Sequence, residues 1–139
     1  MKKIILIGGS AIDNIATSDQ PLEPKVSNSG KSITAFGGVT RNVAHNLAKL
    51  GNKVMVVTAL GNDEFSDSLK RHYASLGINL MVVPSKFPTP TYVAINDSNR
   101  DMAVAVFDNR AVKDVTPNYI KKISPNAYVD LNLEMPPSF

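Results

Sequence analysis

Short apolar runs of strand length alternate with segments of helical period through the first 83 residues, and this alternation limits the fold more than any other feature. Lys3 to Gly8 reads Lys-Ile-Ile-Leu-Ile-Gly, a continuous apolar run closed by glycine. Such a run suits a strand buried on both faces. Behind Gly37-Gly38, Val43, Leu47 and Leu50 fall at i, i+4 and i+7, with Gly51 as the stop. That spacing predicts an amphipathic helix from Val39 to Leu50. Lys53 to Ala59 is a second apolar strand. Asn62 or Asp63 then caps a second helix with a Phe65, Leu69, Leu76 stripe, and Gly77 ends it. Asn79 to Val83 is a third strand. The order β, excursion, α, β, α, β predicts an α/β fold with a parallel sheet and flanking helices.

Two segments break this alternation. Residues 17–36 are polar, contain Pro21 and Pro24, and show no helical period, which leaves loop or exposed strand. Thr91 to Ile95 and Asp101 to Phe107 are strand-like runs joined by Asp97-Ser98-Asn99-Arg100, which predicts a hairpin. A hairpin does not belong inside a βαβ repeat, so it is expected as a flap or lid on one edge. Thr116-Pro117 opens a short helix expected to reach about Ile123, and Ala127 to Leu131 is a further strand. The chain stops at Phe139, just past that strand, where a covering helix is expected. A bare sheet face is costly, so a partner chain or further chain is expected to supply the cover.

Composition excludes several classes. With 43% hydrophobic and 19% charged residues the chain is not of disordered composition. The absence of cysteine removes disulfide scaffolds, thiolate metal sites and thiol nucleophiles. No apolar run approaches the roughly 20 residues of a membrane helix, so no membrane association is expected, and a cytoplasmic location is. The net charge of +3 is scattered, and the densest basic groups are the pairs Lys2-Lys3 and Lys121-Lys122, so nucleic acid is not an expected partner. Ser29-Gly30-Lys31-Ser32 resembles the end of a P-loop, but Lys25 stands where the first glycine belongs. Gly8-Gly9-Ser10-Ala11 lacks the dinucleotide-binding glycine spacing, and a polar excursion replaces the helix. His45 and His72 sit on predicted helices with no third ligand in step, so no metal site is expected.

One constellation carries chemistry. Asp13 follows the first strand, and Gly37-Gly38-Val39-Thr40-Arg41-Asn42 opens the first helix. Both segments belong to the carboxyl edge of a parallel sheet, where ligands bind. A carboxylate accepts from neighbouring hydroxyls, an amide donates and accepts, and paired glycines let backbone N–H groups and a helix N-terminus come close. Together these suit a sugar diol; taken singly, Asp13 suits a turn or cap and the diglycine a tight turn.

The stretch Gly37-Gly38-Val39-Thr40-Arg41-Asn42-Val43-Ala44, running on to Gly51, resembles the first signature of the ribokinase-like (PfkB) carbohydrate kinases. Gly8-Gly9-Ser10 with Asp13 resembles that family's first strand and substrate aspartate. Leu60-Gly61-Asn62-Asp63-Glu64-Phe65 resembles its G-x-D-x-F segment, with Ser66 for the usual glycine, and Leu76-Gly77-Ile78 the start of its third strand. Pro88 to Tyr92, Asp101 to Asp108 and Asp130-Leu131-Asn132 resemble the pseudouridine kinases within the family.

This resemblance implies the N-terminal part of a three-layer α/β/α sandwich with a small β-strand lid. The core would be about 1–16, 37–87 and 110–135, and the lid about 17–36 and 88–109. It implies that Asp13, Gly37, Gly38 and Asn42 contact ribose hydroxyls, that Thr91 on the lid faces a nucleoside, and that the lid forms a homodimer interface. It also implies ATP and Mg2+, held mainly by a second half with a G-A-G-D-like loop, the catalytic aspartate and an Asn-x-x-Glu motif. No such loop occurs here, so no catalytic, cofactor or metal residue is expected in this chain, and alone it is expected to be inactive.

Three rival readings follow. Within the family, the chain could belong to a ribokinase, fructokinase or adenosine-kinase-like enzyme. Ribokinases tend to carry asparagine two residues before the aspartate, and Ala11 there favours a nucleoside. Outside it, the chain would be a non-catalytic sugar-binding or dimerisation module. A generic Rossmann-like domain leaves the hairpin and the Asp13, Gly37-Gly38, Asn42 set unexplained.

Overall fold

The computed structural model describes residues 3–121 and 128–131, which form two four-stranded sheets. Strands β1 (Lys3–Ile7), β4 (Lys53–Leu60), β5 (Asn79–Pro84) and β8 (Tyr128–Leu131) make a parallel sheet in the order β5-β4-β1-β8. β1 lies between β4 and β8, with Lys3 opposite Lys53 and Ile4 opposite Val54 and Tyr128. Its apolar run is explained by that central place. Leu6 packs on one face with Val54, Val56, Ala44, Leu69 and Tyr73, under helices α1 (Val39–Lys49) and α2 (Glu64–Ser75). Ile5 and Ile7 pack on the other with Val57, Ala59, Val83, Ala111 and Val115. There the cover among the described residues is the 3-10 turn Arg110–Asp114 and its neighbours. Helix α3 runs Pro117–Ile120 behind its Thr116 cap, shorter than expected. The expected end at Ile123, Ala127 and Asn132 lie outside the described residues.

The second sheet has the order β3-β2-β6-β7, from β2 (Ala11–Ser18), β3 (Gly30–Gly37), β6 (Thr91–Asn96) and β7 (Met102–Asp108). β2 pairs antiparallel with β3 over its whole length, from Ala11 opposite Gly37 to Ser18 opposite Gly30. The small sheet thus begins at Ala11, earlier than the expected position 17. The break Gly8-Gly9-Ser10 carries the chain from one sheet to the other, and Asp13 lies on a strand. The P-loop-like Gly30-Lys31-Ser32 is the start of β3.

Both helices bury part of the expected stripe, Leu47 on α1 and Leu69 and Leu76 on α2, and the rest of each buried face differs. On α1, Thr40 and Ala44 are buried and Leu47 and Ala48 pack on the core, whereas Val43 is exposed and Leu50, at 78% exposure, is the C-terminal cap. Small residues let α1 lie close to the sheet, and counting large apolar residues does not find them. On α2, Leu69 is buried as expected, but Tyr73 is the buried partner one turn on, and Phe65 is exposed. The buried Tyr73 hydroxyl meets the Ser10 hydroxyl at 2.6 Å, tying α2 to the crossing point between the sheets.

Asp63 is the expected cap of α2, and it does more than cap. Its Oδ1 accepts from the Ser66 amide at 2.9 Å and the Thr89 hydroxyl at 2.6 Å, and its Oδ2 from the Thr89 amide at 2.8 Å. The Thr89 Oγ1 in turn accepts from the Gly61 amide at 3.1 Å. A Cβ at Gly61 would stand 2.6 Å from the Thr89 nitrogen and 2.7 Å from the Phe87 oxygen, so glycine there lets the two segments close. Asp63 thus latches the start of α2 to the segment leading into β6.

Burial works to raise the Asp63 pKa, but the hydrogen bonds from Thr89, Ser66 and Phe65 outweigh it and hold the carboxyl below its ordinary 3.8. The unfolded chain therefore takes up this proton first. The stabilisation is complete above about pH 4 and is lost as pH falls through the lower folded value. Asp63→Ala is expected to cost about 2–4 kcal/mol in urea unfolding at pH 7, from a lost cap and charge-assisted bonds. Its deficit against wild type is expected to shrink below pH 4. A deficit independent of pH would show that Asp63 acts without its charge.

Candidate functional site

The site lies where the two sheets meet. Asp13 on β2 stands opposite Ala35 of β3 and Tyr92 of β6, and Tyr92 stands opposite Phe107 of β7. Directly opposed residues share a sheet face, so Asp13, Tyr92 and Phe107 face the same side. Gly38, Val39 and Asn42, at the start of α1, come to that face from the parallel sheet. Ala11, Asp13, Gly38, Val39, Asn42, Tyr92 and Phe107 together line a cavity of about 220 Å³.

Two glycines permit this approach. Gly38 has φ of 90°, a left-handed conformation that other residues adopt at a cost, and a Cβ there would stand 2.6 Å from the Gly9 oxygen. A Cβ on Gly37 would overlap the Asp13 carboxylate. Gly37 therefore makes room for Asp13 and is not itself part of the lining. Gly38 also caps α1 without a side chain, and the first turn holds no acidic residue. The helix N-terminus thus brings its partial positive charge to the cavity wall.

Asp13 is half-buried, and no donor among the described residues hydrogen-bonds its carboxylate. Burial pushes its pKa up, while the Arg41 guanidinium pulls it down less strongly. Arg41 links the neighbouring groups: Nη1 donates to Asn42 Oδ1 at 3.0 Å, and Nε and Nη2 both reach His72 Nε2, at 3.1 and 2.7 Å.

The structure brings Asp13, Gly38 and Asn42 together as expected, with Gly37 behind Asp13. Thr91 differs. It stands opposite Ile12 and Asp108, one position out of step with Asp13, and so faces the other side of the small sheet. Tyr92 takes the place expected of it. Tyr92 and Phe107 were missed, with ring centroids 6.0 Å apart and planes at 73°. The period-two alternation of the hairpin holds the signal, but its phase is fixed by β2, to whose residues 11–16 the sequence pattern assigns no element. A larger cavity of about 620 Å³ lies under the 19–29 loop, lined by Leu22, Pro24, Val26, Ile95 and Val104 among others. It holds none of the five expected residues and no half-buried unpaired charge.

Among the described residues no three His, Asp or Glu side chains come together to hold a metal ion, and no helix is long and apolar enough to cross a membrane. The His45 and His72 rings are 6.0 Å apart, edge to face, and His72 is engaged by Arg41.

A partial three-layer α/β architecture with a small mixed sheet over one end is the ribokinase-like fold. A carbohydrate kinase from Agrobacterium tumefaciens superposes with a TM-score of 0.84 at 25% identity, covering 98% of this chain and 47% of that one. The model of the pfkB family carbohydrate kinases matches residues 1–132, and the chain belongs to that family, as an N-terminal part of it. It is 33% identical over 120 residues to the pseudouridine kinase of Escherichia coli, covering 84% of this chain and 38% of that protein. It is 34% identical over 109 residues to the guanosine-inosine kinase of Exiguobacterium acetylicum, covering 78% of this chain and 33% of that protein. The chain thus spans less than half the length of these relatives.

The Asp13 geometry gives a stability prediction. A carboxyl whose folded pKa stands above its ordinary 3.8 is easier to ionise in the unfolded chain. Its charge therefore works against folding once the pH is above the raised value. Asp13→Asn is expected to raise Tm by a few degrees at pH 7, with the gain fading as pH falls toward 4. An equal or lower Tm at pH 7 would show that the Asp13 charge carries no penalty.

Proposed function

We propose that this chain is the acceptor-binding part of an ATP-dependent kinase acting on a primary hydroxyl of a nucleoside, with a pseudouridine-type nucleoside favoured. The observation that carries the reading is the unpartnered, half-buried Asp13 carboxylate facing a cavity beside the uncapped N-terminus of α1. An acceptor carboxylate, an amide and a helix N-terminus are the complement of a ribose diol. The Tyr92 and Phe107 rings add an apolar wall suited to a flat heterocycle. The names of the pseudouridine and guanosine-inosine kinases point the same way. The alternative is a free pentose, supported by a deoxyribokinase of Salmonella typhi, 34% identical over 103 residues.

The described residues offer no cradle for a metal ion, and no phosphoryl-transfer step is derived from them. By family, ATP and Mg2+ would serve the complete enzyme, bound mainly by residues beyond this set, and the chain alone would be inactive. What its own residues do is bind and orient. Asp13 accepts from substrate hydroxyls, Asn42 and the α1 N-terminus hold their oxygens, and the small sheet closes over the ligand and excludes water. A cytoplasmic setting belongs to the same proposal, since ATP is an intracellular donor.

Asp13→Ala in the complete gene product is expected to weaken pseudouridine or guanosine binding by roughly 10- to 100-fold, the loss of a charge-assisted bond. Calorimetric titration reads this. Tyr92→Ala is expected to weaken nucleosides and leave free ribose unchanged. Equal affinity of Asp13→Ala and wild type would remove Asp13 from the site.

We also propose a homodimer through the outer face of the small sheet. Val93 opposes Val106 and Ile95 opposes Val104 there, all four exposed, Val106 at 69%. Such an apolar stripe on a twisted sheet suits a second copy of itself. Val106→Glu is expected to give monomers in sedimentation velocity where wild type sediments as a dimer. A monomeric wild type would end this part of the proposal.

A further inference from the structure

Asn42 lines the cavity, and its amide could present either end to a ligand. The neighbouring groups decide which. Arg41 Nη1 lies 3.0 Å from Asn42 Oδ1. A guanidinium has only donors, so the atom it meets must be the amide oxygen, and the Asn42 Nδ2 is left for the cavity. Adjacent helix residues do not face each other, so this contact needs Arg41 to be held from elsewhere. His72 on α2 does so. Arg41 Nε and Nη2 both point at its Nε2, which must be the unprotonated, accepting nitrogen, with the proton on Nδ1. The ring is braced in turn by Phe36, stacked at 4.1 Å and 17°.

We propose that Arg41, anchored by neutral His72, is a positioning residue that turns the Asn42 amide so that it donates to a substrate oxygen while Asp13 accepts from a substrate hydroxyl. This rests on the sugar-binding reading above and adds to it a donor–acceptor polarity and a switch. The same relay is broken by a proton on His72, which removes the acceptor that, among the described residues, ties Arg41 to α2. The charged and titratable groups facing His72 are Arg41 and His45 on α1, with Tyr73 beside it on α2; Asp13 on β2 and Lys49 on α1 act one step further out. Burial, then Arg41, then His45 lower the His72 pKa, so the ring is neutral at pH 7 and the relay is intact. The relay opens as pH falls through that lowered value.

Two measurements on the complete gene product test this. The first needs no ligand. The Asn42 side-chain amide resonances are expected to shift with the His72 titration in wild type and to lose that step in Arg41→Met. An Asn42 amide indifferent to His72, or one that follows it equally in Arg41→Met, overturns the relay. The second is calorimetry with pseudouridine, guanosine and ribose at pH 7.5. Arg41→Met and His72→Leu are expected to weaken the ligand that wild type binds by about three- to tenfold, one neutral hydrogen bond. His72→Gln, which keeps an acceptor for Arg41, is expected to restore affinity and remove the His72 step from its pH profile. Equal weakening by His72→Leu and His72→Gln would reduce His72 to a packing role and overturn the proposal. If wild type binds none of the three ligands, the nucleoside reading itself fails, and the Asn42 titration still decides whether the relay exists.

Discussion

The crossing of two backbone segments at Gly9-Ser10 and Gly37-Gly38 is the contact on which the rest depends. One segment takes the chain out of the parallel sheet into the small one, and the other brings it back into α1. They meet so closely that a Cβ on Gly38 would stand 2.6 Å from the Gly9 oxygen and 2.8 Å from the Ser10 Cα. Ser10 then binds Tyr73 through a buried hydroxyl pair at 2.6 Å, and the Tyr73 phenol is pushed up to about 12, chiefly by burial. It therefore stays protonated at any ordinary pH. A neutral, buried hydrogen bond suits a fixed joint, because neither salt nor mild pH change loosens it. Two of the cavity's polar groups hang from this joint: Asp13 three residues after Ser10, and Asn42 four after Gly38.

A second tie acts from the opposite side. The Asp63–Thr89–Gly61 cluster secures the segment that feeds β6, and β6 pairs with β2 from Thr91 opposite Ile12 to Asn96 opposite Thr17. The position of Tyr92 opposite Asp13 thus depends on a carboxylate far from the cavity. The two aspartates are treated differently by their surroundings. Asp63 accepts from the Ser66 amide and from the Thr89 amide and hydroxyl and has a lowered pKa, whereas Asp13 has burial without a hydrogen-bond donor among the described residues and a raised one. A fully satisfied carboxylate builds structure; an unsatisfied one keeps its hydrogen-bonding capacity for a ligand. That contrast is the physical ground for proposing Asp13, and not Asp63, as a ligand contact.

Much of the parallel sheet could be read from the sequence because its strands are buried on both faces. Burial on two sides leaves continuous apolar runs, and Lys3 to Ile7 and Lys53 to Leu60 carry them, while the edge strand Asn79 to Pro84 keeps a shorter, half-buried run. β2 could not be read so, because its Ala-Ile-Asp-Asn-Ile-Ala-Thr-Ser sequence is half-buried throughout its middle and alternates only weakly. Without β2 the edge of the small sheet falls at 17, and nothing in the sequence shows that Thr91, named by resemblance, lies one residue out of phase with Asp13. The α1 stripe was legible only at Leu47, for another reason: Thr40 and Ala44 are small, and the large Val43 and Leu50 lie outward. Asp13, Gly38 and Asn42 were legible because each is chemically distinctive beside a strand end or helix start. The Arg41–His72 link was not, since its partners are far apart in sequence and only the packing of α1 against α2 joins them.

The polarity of the cavity follows from these placements. A diol oxygen can both give and take a hydrogen bond, so a site that only accepts, or only donates, recognises it poorly. Here the accepting group and the donating groups come from different sheets. Asp13 rides on the small sheet; Asn42 and the amides of the α1 N-terminus belong to the parallel one. On the proposed reading, a ligand that bonds to both would bridge the sheets, and part of its binding energy would go into holding the small sheet down. Closure would then be coupled to a ligand with oxygens on both sides, and a molecule offering only one kind of contact would gain little from it. The glycines at the crossing make this coupling possible, because they bring the two sheets near enough for one small molecule to span them.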